Sequence, residues 1–77
     1  MSTVDQKMLR EIYPAGTEFN VTQVVNRLWP DVKDWEWNTR RSTVHTTMRN
    51  AIKYGLATKR VEIHKGLGYK TVWYTFK

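Results

Sequence analysis

The chain lacks cysteine, has only two prolines and four glycines, and contains no apolar run long enough to cross a membrane. Without cysteine, neither a disulfide nor a cysteine-bound metal can stabilise the fold, and this composition fits a reducing compartment. The first seven residues contain no apolar stretch, and serine rather than glycine follows Met1. They predict neither a signal peptide nor a myristoyl group. We therefore expect a cytoplasmic protein with no membrane partner.

Acidic residues are scarce in the second half of the chain. Residues 39–77 carry nine basic side chains and a single acid, Glu62, whereas residues 1–38 carry four basic and six acidic side chains. The two halves therefore have net charges of +8 and −2, within a total of +6. Segregation of charge along a short chain predicts that the second half docks against a polyanion.

The size and apolar content predict one folded domain that spans residues 1–77. Hydrophobic residues make up 40% of the chain and aromatic residues 13%. This composition suffices for a small core and differs from that of a disordered basic tail, which would be poor in aromatic residues. No internal repeat or low-complexity segment interrupts the chain.

Apolar spacing and capping residues predict two short helices in the first half. Thr3 and Gln6 form a capping-box pattern, followed by Val4, Met8, Leu9 and Ile12 at helical spacing. Residues 17–19 are long enough only for a short strand. Asn20 can cap a second helix, which Pro30 ends. The apolar face of this second helix is Val21, Val24, Val25 and Leu28.

The sequence predicts a loop over residues 30–38 and a third helix from about 39 to 54. Asn38 or Thr39 can cap this helix, and Gly55 fits the position just past its end. Its apolar face is Val44, Met48, Ala51 and Ile52. We expect Leu56 to enter the core.

Two alternating segments, 61–64 and 71–76, surround Gly-Leu-Gly and predict a β-hairpin. A register that gathers apolar residues on one face pairs Val61 with Tyr74 and Ile63 with Val72, and leaves residues 66–69 as the loop. The opposite face then holds Glu62, His64, Thr71 and Trp73.

The order helix, short extended segment, helix, helix, hairpin resembles a winged helix-turn-helix domain over roughly residues 3–76. Residues 39–76 carry the resemblance, with Ser-Thr-Val-His-Thr-Thr-Met-Arg at 42–49 and Tyr-Gly-Leu-Ala at 54–57. The pattern is similar to many bacterial and archaeal winged-helix repressors, loosely including the penicillinase-repressor type. The link before the third helix is longer than in the simplest helix-turn-helix and carries two tryptophans.

This resemblance implies an α+β fold of three helices and a C-terminal hairpin, the wing. It also implies sequence-specific binding of double-stranded DNA by a small transcriptional regulator. The third helix would lie in the major groove, with the hairpin at 61–76 as the wing.

The exposed side of the third helix has the side chains that such a role needs. At 100° per residue, short hydroxyls, an amide and long cations lie opposite the apolar face. The N-terminal part of a recognition helix lies closest to the bases. The alternative is an ordinary solvated surface, although no acid occurs between Thr39 and Arg60. The candidate DNA contacts on this helix are Thr39, Arg40, Arg41, Ser42, Thr43, Thr46, Thr47, Arg49, Asn50 and Lys53.

The hairpin supplies candidate phosphate contacts. In the expected register Lys65 lies opposite Lys70, and such a like-charge pair costs stability unless an anion lies nearby. Alternatively, the two lysines only discourage edge-to-edge aggregation. The candidate contacts on the hairpin are His64, Lys65, Gly66, Tyr69 and Lys70.

Catalysis and metal binding are not expected. The chain has no nucleophile–base arrangement, no phosphate-binding loop and too few residues for a deep cleft. His45 and His64 are the only histidines, and no cysteine or carboxylate pattern completes a metal site. We therefore expect no enzyme activity, cofactor or metal.

The four tryptophans leave other partners open. We expect Trp29 and at least one of Trp35 and Trp37 to complete the core. An exposed Trp35 or Trp37 would instead offer a surface for a protein partner or self-association, facing away from DNA because its neighbours are acidic. The alternatives to DNA binding are therefore a winged-helix assembly module and an RNA-binding winged helix. We expect a monomer or a weak homodimer.

Overall fold

The structure is a computed structural model that describes residues 4–77 as three helices and a three-stranded antiparallel sheet. The elements are α1 (Gln6–Ile12), β1 (Glu18–Asn20), α2 (Val21–Leu28), α3 (Asp34–Lys53), β2 (Ala57–His64) and β3 (Tyr69–Phe76). This confirms the expected α+β class, the three helices, the C-terminal hairpin and a short strand near residues 17–19. The arrangement is compatible with a small winged-helix-like fold.

Side-chain caps start the first two helices. The expected cap at Thr3 lies outside the described residues; Asp5 is the N-cap of α1, and its carboxylate accepts a hydrogen bond from the Met8 amide at 2.7 Å. The cap of α2 is confirmed. The Asn20 side chain accepts from the Gln23 amide at 2.8 Å, and the Gln23 side chain accepts from the Asn20 amide at 3.3 Å.

The third helix begins earlier than expected, at Asp34 rather than after Asn38, so most of the predicted loop is helical. Its N-cap, Lys33, makes no side-chain cap hydrogen bond. The helix start therefore lacks the Ser, Thr, Asp or Asn cap by which a sequence indicates where a helix begins. The first turn instead carries Asp34 and Glu36, whose charges suit the positive end of the helix dipole. Trp37 lies seven residues before Val44 and extends the same apolar stripe.

α3 has 20 residues and is the longest helix of the structure. That length corresponds to about 30 Å. None of the helices within residues 4–77 is both long enough and apolar enough to cross a membrane.

The hairpin register differs from the expected one by two residues. Val61 pairs with Val72 and Ile63 with Lys70, so the turn occupies residues 65–68 and Lys65 does not lie opposite Lys70. Gly66 and Gly68, with positive φ of 85° and 75°, lie in the loop of either register. The base of the hairpin sets the register, because it pairs Ala57 with Phe76 and both side chains are buried in the core.

The sheet order is β1-β3-β2, so β3 is central. The core gathers around Phe19, whose ring stacks on that of Tyr13 at 4.5 Å and lies 5.8 Å from that of Phe76. The expectation for Leu56 is wrong. Gly55, with φ 74°, turns the chain at the end of α3, which leaves Leu56 41% exposed and brings Ala57 into the core.

The tryptophans divide as expected between core and surface. Trp29 and Trp37 are half-buried and pack against the core. Trp35 is 79% exposed on the first turn of α3. Trp73 is half-buried, and its indole nitrogen donates to the Glu62 carboxylate at 3.4 Å.

We predict that Trp37→Ala lowers the free energy of unfolding by about 2–3 kcal/mol, below the roughly 3–5 kcal/mol of a fully buried ring. Trp35→Ala should change it by no more than about 0.5 kcal/mol, because the ring is exposed. Urea denaturation of both variants checks this. Equal losses in the two variants would mean that Trp35 is also part of the core.

Candidate nucleic-acid interface

One row of cations on α3 faces the hairpin. Arg41, His45 and Arg49 follow one another at four-residue intervals, and we call them the hairpin-side row. His45 joins this row to β3, because its Nδ1 lies 2.8 Å from the Tyr74 hydroxyl in a hydrogen bond. The two rings also meet edge to face, 5.9 Å apart. Packing of Val44, Met48 and Ala51 on the adjacent side of α3 fixes this orientation.

The hairpin-side row carries positive charge that no acid neutralises. Burial first, then the charges of Arg41 and Arg49, lower the pKa of His45 below its ordinary value. Burial raises the pKa of Tyr74, against the opposing effect of the same two arginines. Neither arginine forms an ion pair with any residue in the described range 4–77. The two guanidinium charges are therefore available to an external anion.

A shallow groove lies beside this row, between the start of α2, α3 and β3. Its lining is Asn20, Val21, Thr22, Arg41, His45, Thr71 and Val72. Hydroxyl, imidazole and guanidinium groups thus meet in one place, and these are groups that bond phosphate oxygens. The groove can accept a phosphate at the edge of α3 nearest the hairpin.

The next row outward on α3 is fully exposed. Ser42, Thr46 and Lys53 lie on it, and Trp35 lies seven residues before Ser42 on the same side. We call these four residues the open row. The expectation that an exposed Trp35 faces away from DNA stays a prediction. It assumed a loop, whereas a helix that starts at Asp34 puts Trp35 in line with the candidate DNA contacts of the open row.

The third row on α3 consists of Thr39, Thr43, Thr47 and Asn50. The hydroxyl groups of Thr43 and Thr47 donate hydrogen bonds to backbone carbonyls of the protein itself. Thr43 donates to the Thr39 carbonyl at 3.0 Å, and Thr47 donates to the carbonyls of Thr43 at 3.1 Å and Val4 at 2.9 Å. Thr47 thus holds the N-terminal segment against α3. Asn50, near the end of the helix, is exposed. Of the predicted contacts on this row, Thr39 and Asn50 are the two that are fully exposed.

Arg40 lies on the opposite side of α3 from Arg49, because nine residues at about 100° each bring the helix round by half a turn. Its guanidinium carbon lies 4.9 Å from the centre of the Trp29 ring, and a guanidinium nitrogen lies 3.6 Å from the Glu36 carboxylate. The DNA-binding hypothesis required Arg40, Arg49, Lys53 and Lys65 to lie on one surface, and Arg40 does not meet that requirement. Arg41 provides the arginine beside the hairpin instead.

The predicted hairpin contacts fall in two places. Lys65 and Gly66 lie in the turn at 65–68, and Lys70 lies just after it, opposite Ile63 and on the same face as Val72. These lysines are exposed and form no ion pair within residues 4–77. Positive charge thus continues from α3 to the end of the hairpin.

His64 and Tyr69 lie on the other face of the hairpin. They are directly paired, and their rings stack at 4.4 Å. The Nε2 atom of His64 lies 2.9 Å from the Thr71 hydroxyl and 3.4 Å from the Glu62 carboxylate. This confirms that His64, Glu62 and Thr71 share a face. These contacts hold His64 within the sheet, apart from the lysine-bearing side.

An ion pair that the sequence did not indicate removes one cation from the candidate interface. Arg60 on β2 donates two hydrogen bonds, of 3.0 and 2.8 Å, to the two carboxylate oxygens of Glu18 on β1. These bonds lower the pKa of Glu18 and raise that of Arg60. The residues are 42 positions apart, and only the sheet order, with β3 between them, brings them together.

Comparison of the chain with family models, with curated proteins and with solved structures gave no match. Within residues 4–77, no group of three or more histidine, aspartate or glutamate side chains could hold a metal ion.

We predict that stability falls as the pH drops below about 6.5, the usual pKa of an unfolded histidine. Because the pKa of His45 is lower in the folded protein, protonation favours the unfolded chain; stability is constant above this pH and decreases through the lowered pKa. Urea denaturation at about pH 7.5 and pH 5.5 measures the change. His45→Gln should reduce this change. An equal loss of stability in wild type and His45→Gln would contradict the assignment of this pH dependence to His45.

Proposed function

We propose that this chain is a winged-helix domain that binds double-stranded DNA at specific sequences and acts as a small transcriptional regulator. The observation that carries the proposal is the pair of unneutralised arginines, Arg41 and Arg49, beside an exposed helix side of hydroxyls and cations. No acid occurs between Thr39 and Arg60. A basic surface with short hydrogen-bonding side chains suits both phosphates and base edges.

The open row is the part of α3 best suited to reading bases. An α-helix with its side chains, about 10–12 Å across, fits the major groove, about 12 Å wide. Ser42 and Thr46 present short hydroxyl groups, and Arg49, on the adjoining edge, has the planar group that bonds a guanine edge. In this orientation the apolar stripe of α3 stays in the core.

Phosphates would then be bound at two places on the side that α3 shares with the hairpin. Arg41 and the groove at the start of α2 lie at one contact point, and the lysines of the hairpin extend the basic surface to a second. Such contacts orient the protein on the duplex without reading sequence.

A second candidate function has one specific observation in its favour. Trp35 is 79% exposed, and an exposed tryptophan is typical of an interaction hot spot. Trp37 packs against the core, so Trp35 is the ring that a protein partner or a second copy would contact. RNA binding has less support on the sheet, because Tyr69, although 56% exposed, already stacks on His64, and Trp73 is half-buried and bonded to Glu62.

We predict that affinity for duplex DNA falls steeply with salt, with a log–log slope of about −4.5 for about five phosphate contacts. Arg41→Gln, Lys65→Ala and Lys70→Ala should each make the slope shallower by about one unit. Arg27→Gln is the matched control, since this exposed cation ends α2 outside the candidate interface. Fluorescence anisotropy titrations at several salt concentrations measure the slopes. Absence of binding at low salt would reject the proposed function.

We predict that Arg49→Ala and Thr46→Ala reduce discrimination between DNA sequences, by roughly 1–3 kcal/mol where a two-point base contact is lost. Selection from a random duplex library identifies the preferred site, and competition with a scrambled duplex measures discrimination. Thr58→Ala, an exposed threonine on β2, should leave it unchanged. Unaltered preference in both α3 variants would exclude this side of α3 from base reading.

A further inference from the structure

The hairpin leaves the core part-way along its length and carries apolar side chains into solvent. Along β2 the exposed fraction rises from 3% at Ala57 to 45% at Val61 and 70% at Ile63. Each strand has eight residues, which corresponds to about 26 Å. The outer half of the hairpin therefore contributes little to the core, and its apolar residues need another explanation.

Leu67 lies at the end of this projection and is 67% exposed. It is held in the turn by a hydrogen bond from its amide to the His64 carbonyl at 3.1 Å, and it lies between Gly66 and Gly68. Both glycines have positive φ, and a Cβ atom at either position would meet nothing within 4 Å. The end of the hairpin is thus one leucine side chain on a slim backbone.

The surroundings of Leu67 are basic. Lys65 precedes it in the turn and Lys70 follows it, and no acidic residue occurs after Glu62. The face that bears Lys70 and Ile63 continues to Val72, which lines the groove with Arg41 and His45. The ligand of this tip must therefore be negatively charged outside and apolar inside, and must also reach α3.

Resting on the proposed function, we propose that Leu67 enters the DNA minor groove as an apolar wedge that opens one base step and bends the duplex. Lys65 and Lys70 bind the phosphates on either side. The minor groove is only about 6 Å wide, so the slim Gly-Leu-Gly turn is suited to it. Apolar side chains that enter base steps from this groove kink the duplex by about 20–90°.

A duplex fits these observations better than an anionic membrane does. Membrane binding grows with the apolar area buried, and the turn at 65–68 offers one apolar side chain, that of Leu67. A flat membrane that received the tip would also leave Arg41 and Arg49 without an anion, whereas a duplex can extend from the tip to α3.

Energy transfer between dyes at the two ends of a selected duplex measures the bend. Wild type should bend it by about 20–90°. Leu67→Ala should lose more than half of the bend at saturating protein, because the wedge is gone while the lysines remain. Leu67→Met should keep the bend. Leu56→Ala is the matched control, because Leu56 is an exposed leucine at the end of α3 rather than in the turn.

A duplex with 2-aminopurine at successive positions locates the opened step. Its fluorescence should rise at one step with wild type and stay low with Leu67→Ala. An unchanged bend and unchanged fluorescence in Leu67→Ala would overturn the wedge while leaving DNA binding intact. Failure of wild type to bind any duplex at low salt would reject the proposed function together with the wedge.

Two further controls separate other ligands of the tip. Binding of wild type to phosphatidylserine vesicles that is lost in Leu67→Ala, without any bending of DNA, would overturn the wedge and assign the tip to an anionic membrane. A dimer in sedimentation that becomes a monomer in Leu67→Ala, again without bending, would overturn it in favour of self-association.

Discussion

Burial of one apolar stripe on α3 is the constraint on which the rest of the structure depends. Val44, Met48 and Ala51 are fully buried, and Trp37 extends the stripe toward the start of the helix. Their packing fixes how the helix is rotated about its axis. That rotation decides that Arg41 and Arg49 border the hairpin and that Arg40 lies on the far side, against Trp29. The chemistry of the exposed surface is thus a consequence of the core.

The fold also sorts the positive charges. Two arginines are neutralised within the described residues, Arg40 by Glu36 and Arg60 by Glu18. Arg41, Arg49 and the hairpin lysines form no such pairs, so the positive charge concentrates on the side shared by α3 and the hairpin. A charge count along the sequence identifies the basic half of the chain, but not which of its cations already have partners.

Local signals predicted the local structure well. Asn20 as the cap and Pro30 as the stop gave the bounds of α2, and Gly55 marked the end of α3. The start of α3 was missed because Lys33 makes no cap hydrogen bond. The hairpin was predicted, but its register was wrong by two residues, because like-facing apolar residues allow both registers and the burial of Ala57 opposite Phe76 decides between them. Leu56 was expected in the core, but the turn at Gly55 leaves it exposed and brings Ala57 into the core instead.

The sequence by itself determined the α+β class, the order of the elements, the basic character of the second half and the apolar face of α3. These depend on spacing along the chain, which sets the faces of a helix or strand. The tertiary structure alone decided the Arg60–Glu18 pair, the His45–Tyr74 contact and the projection of Leu67 beyond the core. Each of these depends on how segments that are distant in the sequence pack together in space, and neither composition nor periodicity specifies that packing.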